Sequence, residues 1–532
     1  MRPLVLRLHF YAGALIAPFL LVAAVSGTLY AATPQLEQLL YRDQLHATPT
    51  ATQVPLATQI QTAVEARGGQ EPVAVRPAPT TSETTRVLFS EPTLGESERT
   101  AVFIDPGTGQ VRGELTAYGT SGILPLRTWV DQLHRNLHLG EPGRLYSELA
   151  ASWLWVLALS GLGLWIARQV STRRTARADN SDGSSGDGSP ASGGSGGGPV
   201  RRVLAPGRGE AGKDAGGRGS RGRTRTLHAV VGTWIAVGLI ALSATGLTWS
   251  SYAGAHVDAL RGAFSWSTPA VDTTLPEATG LAAAATGHED HAGHEGHANA
   301  PTGDPGISET EGTAAEGVDA AVASAVTPAA FAQALATARQ AGLTAGKIEV
   351  KAPAEAGASW KVDEIDRGLH TQVDSAAVAV SATAAGGMQG QVLDVVRFAD
   401  YPFMAKLARW GIDLHMGSFG LGNQLVLLAL GLGLSAVIVW GYRMWWQRRL
   451  DPARRLSVGP PAHRGAWRYL PKPVLALVVV LTVAIGWALP LLGVSLLVFL
   501  VLDVVLGAVH RSRSRGAGAG TSGPIPTSGG LR

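Results

Sequence analysis

Arg127–His134 reads RTWVDQLH, and Ala408–His415 reads ARWGIDLH. Tryptophan, leucine and histidine keep one register in the two copies: Trp129 with Trp410, Leu133 with Leu414, His134 with His415. Each copy stands ahead of a long apolar run. Two further runs open alike, on Leu8-His9 and Leu227-His228. Those runs share a small-residue step, Val25-Ser26-Gly27-Thr28-Leu29-Tyr30 against Ala244-Thr245-Gly246-Leu247-Thr248-Trp249. Self-similarity of this kind predicts a pseudo-symmetric pair of helix hairpins, each carrying an inserted segment.

The apolar runs set the class. A helix crosses a bilayer with roughly 20 apolar residues, and four runs qualify: Phe10–Ala31, Ala150–Ala167, Ala229–Ser250 and Leu421–Tyr442. A fifth region, Val474–Val509, is about twice that length. Pro490 and Gly493 divide it into an expected hairpin, Val474–Leu489 and Leu491–Val509. Only 16% of the 532 residues are charged, against about 25% in soluble domains. The first run has a basic start (Arg2, Arg7) and small residues at Ala31-Ala32, as a signal peptide does. Its repeat with the third run predicts a retained span instead.

Basic residues mark cytoplasmic loops. Segment 168–225 holds twelve Arg and Lys against five acids, and segment 443–472 holds eight against one. With the basic tail after His510, both fall on the inner side if the termini are cytoplasmic and six helices cross. Segments 33–149 and 251–420 are then extracytoplasmic. In the first, Leu56–Ala66 predicts a helix. Val73–Val75, Arg86–Ser90, Ala101–Asp105 and Gln110–Leu115 predict strands, the last two joined at Pro106-Gly107-Thr108-Gly109. In the second, Ala329–Ala341 predicts a helix. Strands are expected at Lys347–Lys351, Ser359–Ile365, Ala376–Ser381 and Gln391–Arg397. The expected fold is therefore an α-helical polytopic membrane protein with four core spans, a C-terminal helical hairpin and two small α+β domains. Linker 168–227, insertion 275–326 and tail 510–532 are rich in Gly, Ser, Ala or Arg and are expected to be disordered. The basic segment 443–473 is expected as a cytoplasmic loop.

There is no cysteine. Disulfides, iron–sulfur clusters, thiolate zinc sites and covalent c-type haem attachment are excluded. No Walker A loop or H-E-x-x-H is present, so ATP-driven transport and zincin proteolysis lack support. Nothing points to nucleic acid as a partner; the bilayer is the expected surrounding.

Histidines at span ends are the candidate chemistry, because polar groups there are costly. His9 and His228 open spans one and three; His134 and His415 precede spans two and four. This gives one pair on each side of the membrane. A bis-His iron site needs two imidazoles on facing helices, and a helix bundle supplies them. Interfacial anchoring is the plainer role for each. His138 rivals His134, four residues on; register with His415 favours His134. Arg127, Arg135, Arg144, Lys406 and Arg409 flank the second pair, as anchors or as an anion-binding cluster. His288, His291, His294 and His297 recur every third residue among Asp290, Glu289 and Glu295. That composition binds divalent metals loosely, or is merely a solvated insert.

These motifs resemble the PepSY-associated transmembrane family of bacterial membrane proteins. The likeness lies in Leu8-His9, in Leu133-His134-Arg135 with Gly140 and Gly143, and in Leu414-His415-Met416-Gly417. It extends to Val437–Arg449 with Trp440, Trp445 and Trp446. The resemblance covers most of the chain outside the disordered segments and implies that the inserted segments are PepSY domains. Some members are iron-regulated, and some are reductases that pass electrons through two b-type haems to external ferric siderophores. Isolated PepSY domains have been regarded as peptidase inhibitors. Three functions therefore stand open. The first is a di-haem reductase with a separate cytoplasmic-side electron donor, holding haem at His9/His228 and His134/His415. The second is a non-enzymatic metal-binding accessory of uptake. The third is a regulator of an extracytoplasmic protease.

Overall fold

Hydropathy marks where a helix can sit in lipid, and helical hydrogen bonding carries on beyond that point. The computed structural model describes residues 2–95, 97–182, 218–275, 326–355, 357–367, 373–383, 386–447 and 471–518. Its elements in chain order begin with α1 (Arg2–Leu40), α2 (Arg42–Leu45), α3 (Leu56–Ala66), β1 (Ala74–Arg76), β2 (Thr85–Phe89), β3 (Glu98–Ile104), β4 (Val111–Tyr118) and α4 (Pro125–Asn136). Then come α5 (Glu141–Asp182), α6 (Arg218–Leu247), α7 (Tyr252–Ala263), α8 (Pro328–Gln340), β5 (Ile348–Lys351), β6 (Trp360–Glu364), β7 (Ser375–Ala382) and β8 (Met388–Val396). The chain continues through α9 (Phe403–Met416), α10 (Leu421–Trp446), α11 (Lys472–Ala488) and α12 (Pro490–Gly518). Among the described residues, four helices are long and apolar enough to cross a membrane: α1, α5, α6 and α10. Helices α1, α5 and α10 overrun the apolar runs expected for them; α6 starts earlier, at Arg218, and ends at Leu247, short of the expected Ser250. The protein is a multi-pass membrane protein.

The contacts divide the chain into two compact units. The first comprises Met1–Leu21, Glu148–Ser243 and Gly433–Arg532. A proline inside a helix leaves the carbonyl four residues earlier without its donor. In this unit Pro18 frees the Ala14 carbonyl, and the Tyr442 hydroxyl donates to it at 2.9 Å. The expected hairpin breaks at Pro490, giving α11 and α12. They approach so closely that a Cβ on Gly493 would lie 2.6 Å from the Gly486 carbonyl oxygen. Helix α11 has 17 residues, short of the roughly 20 of a full span.

The second unit comprises Val22–Ser147 and Ala244–Leu432. Here Pro34 frees the Tyr30 carbonyl, and the Thr33 hydroxyl donates to it at 2.6 Å. Helix-plus-four-strand order occurs twice, as α3 with β1–β4 and as α8 with β5–β8. Each set of strands is an antiparallel meander. Asp105 accepts from the backbone N–H groups of Gly107 and Thr108, which closes the β3–β4 turn as its sequence requires. Thr327 caps α8 ahead of Pro328. The expected boundary between two separate domains is instead a strand pair: β1 and β5 join at Ala74↔Lys351 and Val75↔Val350. The eight strands form one sheet in the order β4-β3-β2-β1-β5-β6-β7-β8. Each meander would otherwise leave its first strand as an open edge, and the pairing satisfies both. One face packs under α3 and α8 around Val75, Phe89, Ile104, Phe331, Val350 and Trp360, all essentially inaccessible.

Candidate functional site

In the first unit, His9 lies on α1 and His228 on α6. Their ring centres are 6.3 Å apart, with the planes at 83°. The Nδ1 atom of His228 lies 2.9 Å from the Val437 carbonyl oxygen on α10. A carbonyl only accepts, so His228 donates from Nδ1. The Nδ1 atom of His9 meets the Ser160 hydroxyl of α5 at 2.8 Å. That hydroxyl donates its one hydrogen to the Leu157 carbonyl at 3.1 Å, so it accepts from His9. Both rings keep the Nε2 lone pair available.

In the second unit, His134 ends α4 and His415 ends α9. Their ring centres are 6.4 Å apart, with the planes at 55°. His134 Nδ1 meets the Ser26 hydroxyl at 2.9 Å, and that hydroxyl donates onward to the Val22 carbonyl at 2.7 Å. His415 Nδ1 meets the Thr245 hydroxyl at 2.8 Å. Helix α4 stops because Leu137 and His138 take left-handed backbone, with φ 55° and 56°. Helix α9 stops at Gly417, also left-handed. Burial pushes the pKa of His134 down, and pushes that of His415 down to about 4, His134 adding to the second shift. Both rings are neutral at pH 7, the protonation state of a metal ligand.

Glycine makes room for two of these rings. A Cβ on Gly161 would stand 3.2 Å from His9 Cε1, and one on Gly27 would stand 3.1 Å from His134 Cε1. Each follows the serine that holds the same ring. Sequence reasoning used Ser26-Gly27 and Thr245-Gly246 only as marks of the repeat. A hydroxyl beside glycine inside an apolar run was the signal for a histidine acceptor, and it recurs at Ser160-Gly161.

The ring separations are those that a metal held between each pair would need: an imidazole nitrogen would stand about 2 Å from it and about 1 Å from its own ring centre, so two ligating rings would stand about 6 Å apart. A ligating histidine that donates its other N–H to a fixed acceptor is the usual supporting arrangement. Two imidazoles with no third ligand suit a metal whose remaining positions are filled by a macrocycle, as in haem. Among the described residues no three His, Asp or Glu side chains group as a metal cluster.

The other candidates fall elsewhere. His138 is exposed, its ring centre 5.1 Å from that of Trp129. Arg144 pairs with Glu141 at 3.7 Å. Lys406 donates to the Ala399 carbonyl at 2.6 Å. Arg127 stays by the second pair: it lies over the Tyr30 ring at 4.8 Å and donates to the Met416 carbonyl at 3.5 Å. Arg135 donates to the Tyr118 hydroxyl at 2.9 Å, and Arg409 donates to Asp413 at 3.2 Å. His288, His291, His294 and His297 lie outside the described residues, as do the greater parts of the linker, the basic loop 443–473 and the tail.

No curated protein matches the chain. A family model described as the PepSY-associated TM region matches residues 6–448. That stretch holds all four paired histidines and every hydrogen-bond partner of their Nδ1 atoms, and over it this chain belongs to the PepSY-associated TM family.

Proposed function

We propose that the protein is a membrane electron carrier with two b-type haems, one at His9/His228 and one at His134/His415, that reduces a ferric chelate outside the cell. The observation that carries this is the matched pair of imidazole separations, 6.3 and 6.4 Å, each ring held through Nδ1. When bound, haem supplies a one-electron ferric/ferrous couple. The chain's own residues do the rest. Ser160 and the Val437 carbonyl orient the first pair; Ser26 and Thr245 orient the second. Arg127 places a cation beside the second pair, suited to a carboxylate. Following the excess of Arg and Lys in segments 168–225 and 443–472, the termini are cytoplasmic and the first pair takes electrons from a separate inner donor. The membrane is the bacterial cell membrane.

The test is haem stoichiometry with an absorption spectrum before and after dithionite. The expected result is two haems per chain. His228→Ala should remove one and His415→Ala the other, and a ferric siderophore should reoxidise the dithionite-reduced parent and not reduced His415→Ala. Undiminished haem in both variants would overturn the assignment.

The repeated histidines of Gly287–His297 favour a second reading, external metal capture by that segment. It predicts that deleting Gly287–His297 lowers binding of Zn²⁺ or Cu²⁺ and leaves the haem spectrum unchanged.

A further inference from the structure

An amphipathic helix on a water-facing domain turns its polar face outward. Helix α3 does so: its exposed side chains are Thr58, Gln61, Glu65 and Ala66. Helix α9, in the same unit, does the reverse. Its exposed side chains are Phe403, Met404, Leu407, Trp410 and Leu414, each 38–67% accessible, and no polar one joins them. Phe403, Leu407, Trp410 and Leu414 are spaced as one face of an α-helix. Ala405 and Ile412, on the opposite face, are buried. The repeat does not demand this stripe: on α4, the counterpart of α9, Trp129 is the single exposed side chain.

The stripe leads into a span. Helix α9 ends at Gly417, and α10 begins at Leu421. The Asn423 side-chain N–H donates to the Leu414 carbonyl at 2.9 Å, and the Asn423 side-chain oxygen accepts from the Phe419 backbone N–H at 3.3 Å. One side chain therefore fixes the Leu414 end of α9 against the first turn of α10. From there Leu421, Leu425 and Leu432 continue an exposed apolar row, 55–63% accessible. On a helix that crosses the membrane, such a row faces lipid. A lone exposed leucine carries no meaning. A whole apolar helix face joined to a lipid-facing row marks a surface that is covered in the native setting.

We propose that α9 lies along the membrane surface with this face in the bilayer, at the boundary between headgroups and acyl chains. Helices of this kind bury their apolar face about 5–10 Å into that boundary. The 14 residues of α9 extend about 21 Å. Trp410 stands within the stripe, and an indole is favoured at a membrane–water boundary. Lys406 borders the stripe and reaches back past the start of the helix, where its ammonium donates to the Ala399 carbonyl at 2.6 Å. Arg409 lies off the stripe and donates to Asp413 at 3.2 Å. No charge has to enter the acyl chains. His415 follows Leu414 directly, so seating the stripe in lipid fixes the depth of the second histidine pair at the same boundary. The proposal does not depend on what that pair holds.

The chain has no cysteine, so a single introduced cysteine carries a single spin label. The test is collision of that label with oxygen, which concentrates in lipid, and with a nickel chelate, which stays in water. The full-length protein is used in phosphatidylcholine vesicles. Leu407→Cys is the probe, Leu432→Cys the lipid reference and Gln61→Cys the water reference. The Leu407→Cys label should favour oxygen at a depth about 5–10 Å below the phosphates, shallower than Leu432→Cys. Phe403→Cys, on the same face, should report the same boundary, and it replaces Leu407→Cys if that variant melts below the parent. Nickel access equal to that of Gln61→Cys overturns the proposal. Access to neither probe also overturns it. Spin–spin broadening that vanishes on dilution with unlabelled protein would then assign the face to a second copy, and its absence would assign the face to a different protein surface.

Discussion

Ser26 and Ser160 have one hydroxyl hydrogen each, and each gives it to a backbone carbonyl of its own helix. That leaves the oxygen as acceptor for a histidine and fixes which ring nitrogen is bare. Removing such an acceptor costs a metal site about 10–100-fold in affinity. Ser26→Ala is therefore expected to weaken haem at His134/His415 by that order, to shift its reduction potential, and to leave the other centre unchanged. Spectroelectrochemical titration with haem quantitation checks this, and Ser26→Thr should restore both values. Gly161→Val is the steric counterpart. Its side chain would crowd His9, so haem loss should be confined to the His9/His228 centre, read as one haem per chain.

At the scale of elements, the seam between β1 and β5 carries the Arg76–Glu349 ion pair, with both side chains at least nine-tenths buried. Burial alone would raise the Glu349 pKa; Arg76 and Lys351 outweigh it and hold the carboxyl below the ordinary glutamate range. A depressed native pKa adds stability that is complete above the unfolded glutamate value. It is lost as pH falls through the native one. The sheet unit should therefore lose stability on acidification below the ordinary glutamate range, and Glu349→Gln should flatten that dependence in thermal melts against pH. Arg76→Ala strands a buried carboxylate and should cost about 3–5 kcal/mol at neutral pH. A melt within 1 °C of the parent would contradict the ion pair's role.

For the molecule as a whole, the family match ends at residue 448, ahead of α11 and α12. The hairpin supplies no paired histidine and no acceptor for one. It packs against α5 within the first unit, where Trp153 donates to the Ser495 hydroxyl at 2.9 Å. Deleting residues 471–532 is expected to keep both haems while lowering the thermal midpoint. Haem loss from that truncation would show that the hairpin shapes the first centre.

The sequence by itself determined the membrane class and the four long spans, and drew attention to the four histidines, because hydropathy and a register-keeping repeat are local signals. Strand and helix positions such as Leu56–Ala66 were legible for the same reason: turn residues and alternation act over a few neighbours. Only the tertiary structure decided three things. It joined β1 to β5, a pairing of residues far apart in the chain that no local pattern encodes. It set the His134 ring beside that of His415 and left His138 exposed, because left-handed backbone at Leu137 ends α4. It set Ser26, Ser160, Thr245 and the Val437 carbonyl on the four rings, since a hydrogen bond between helices depends on how those helices pack, and packing is not written in either helix alone.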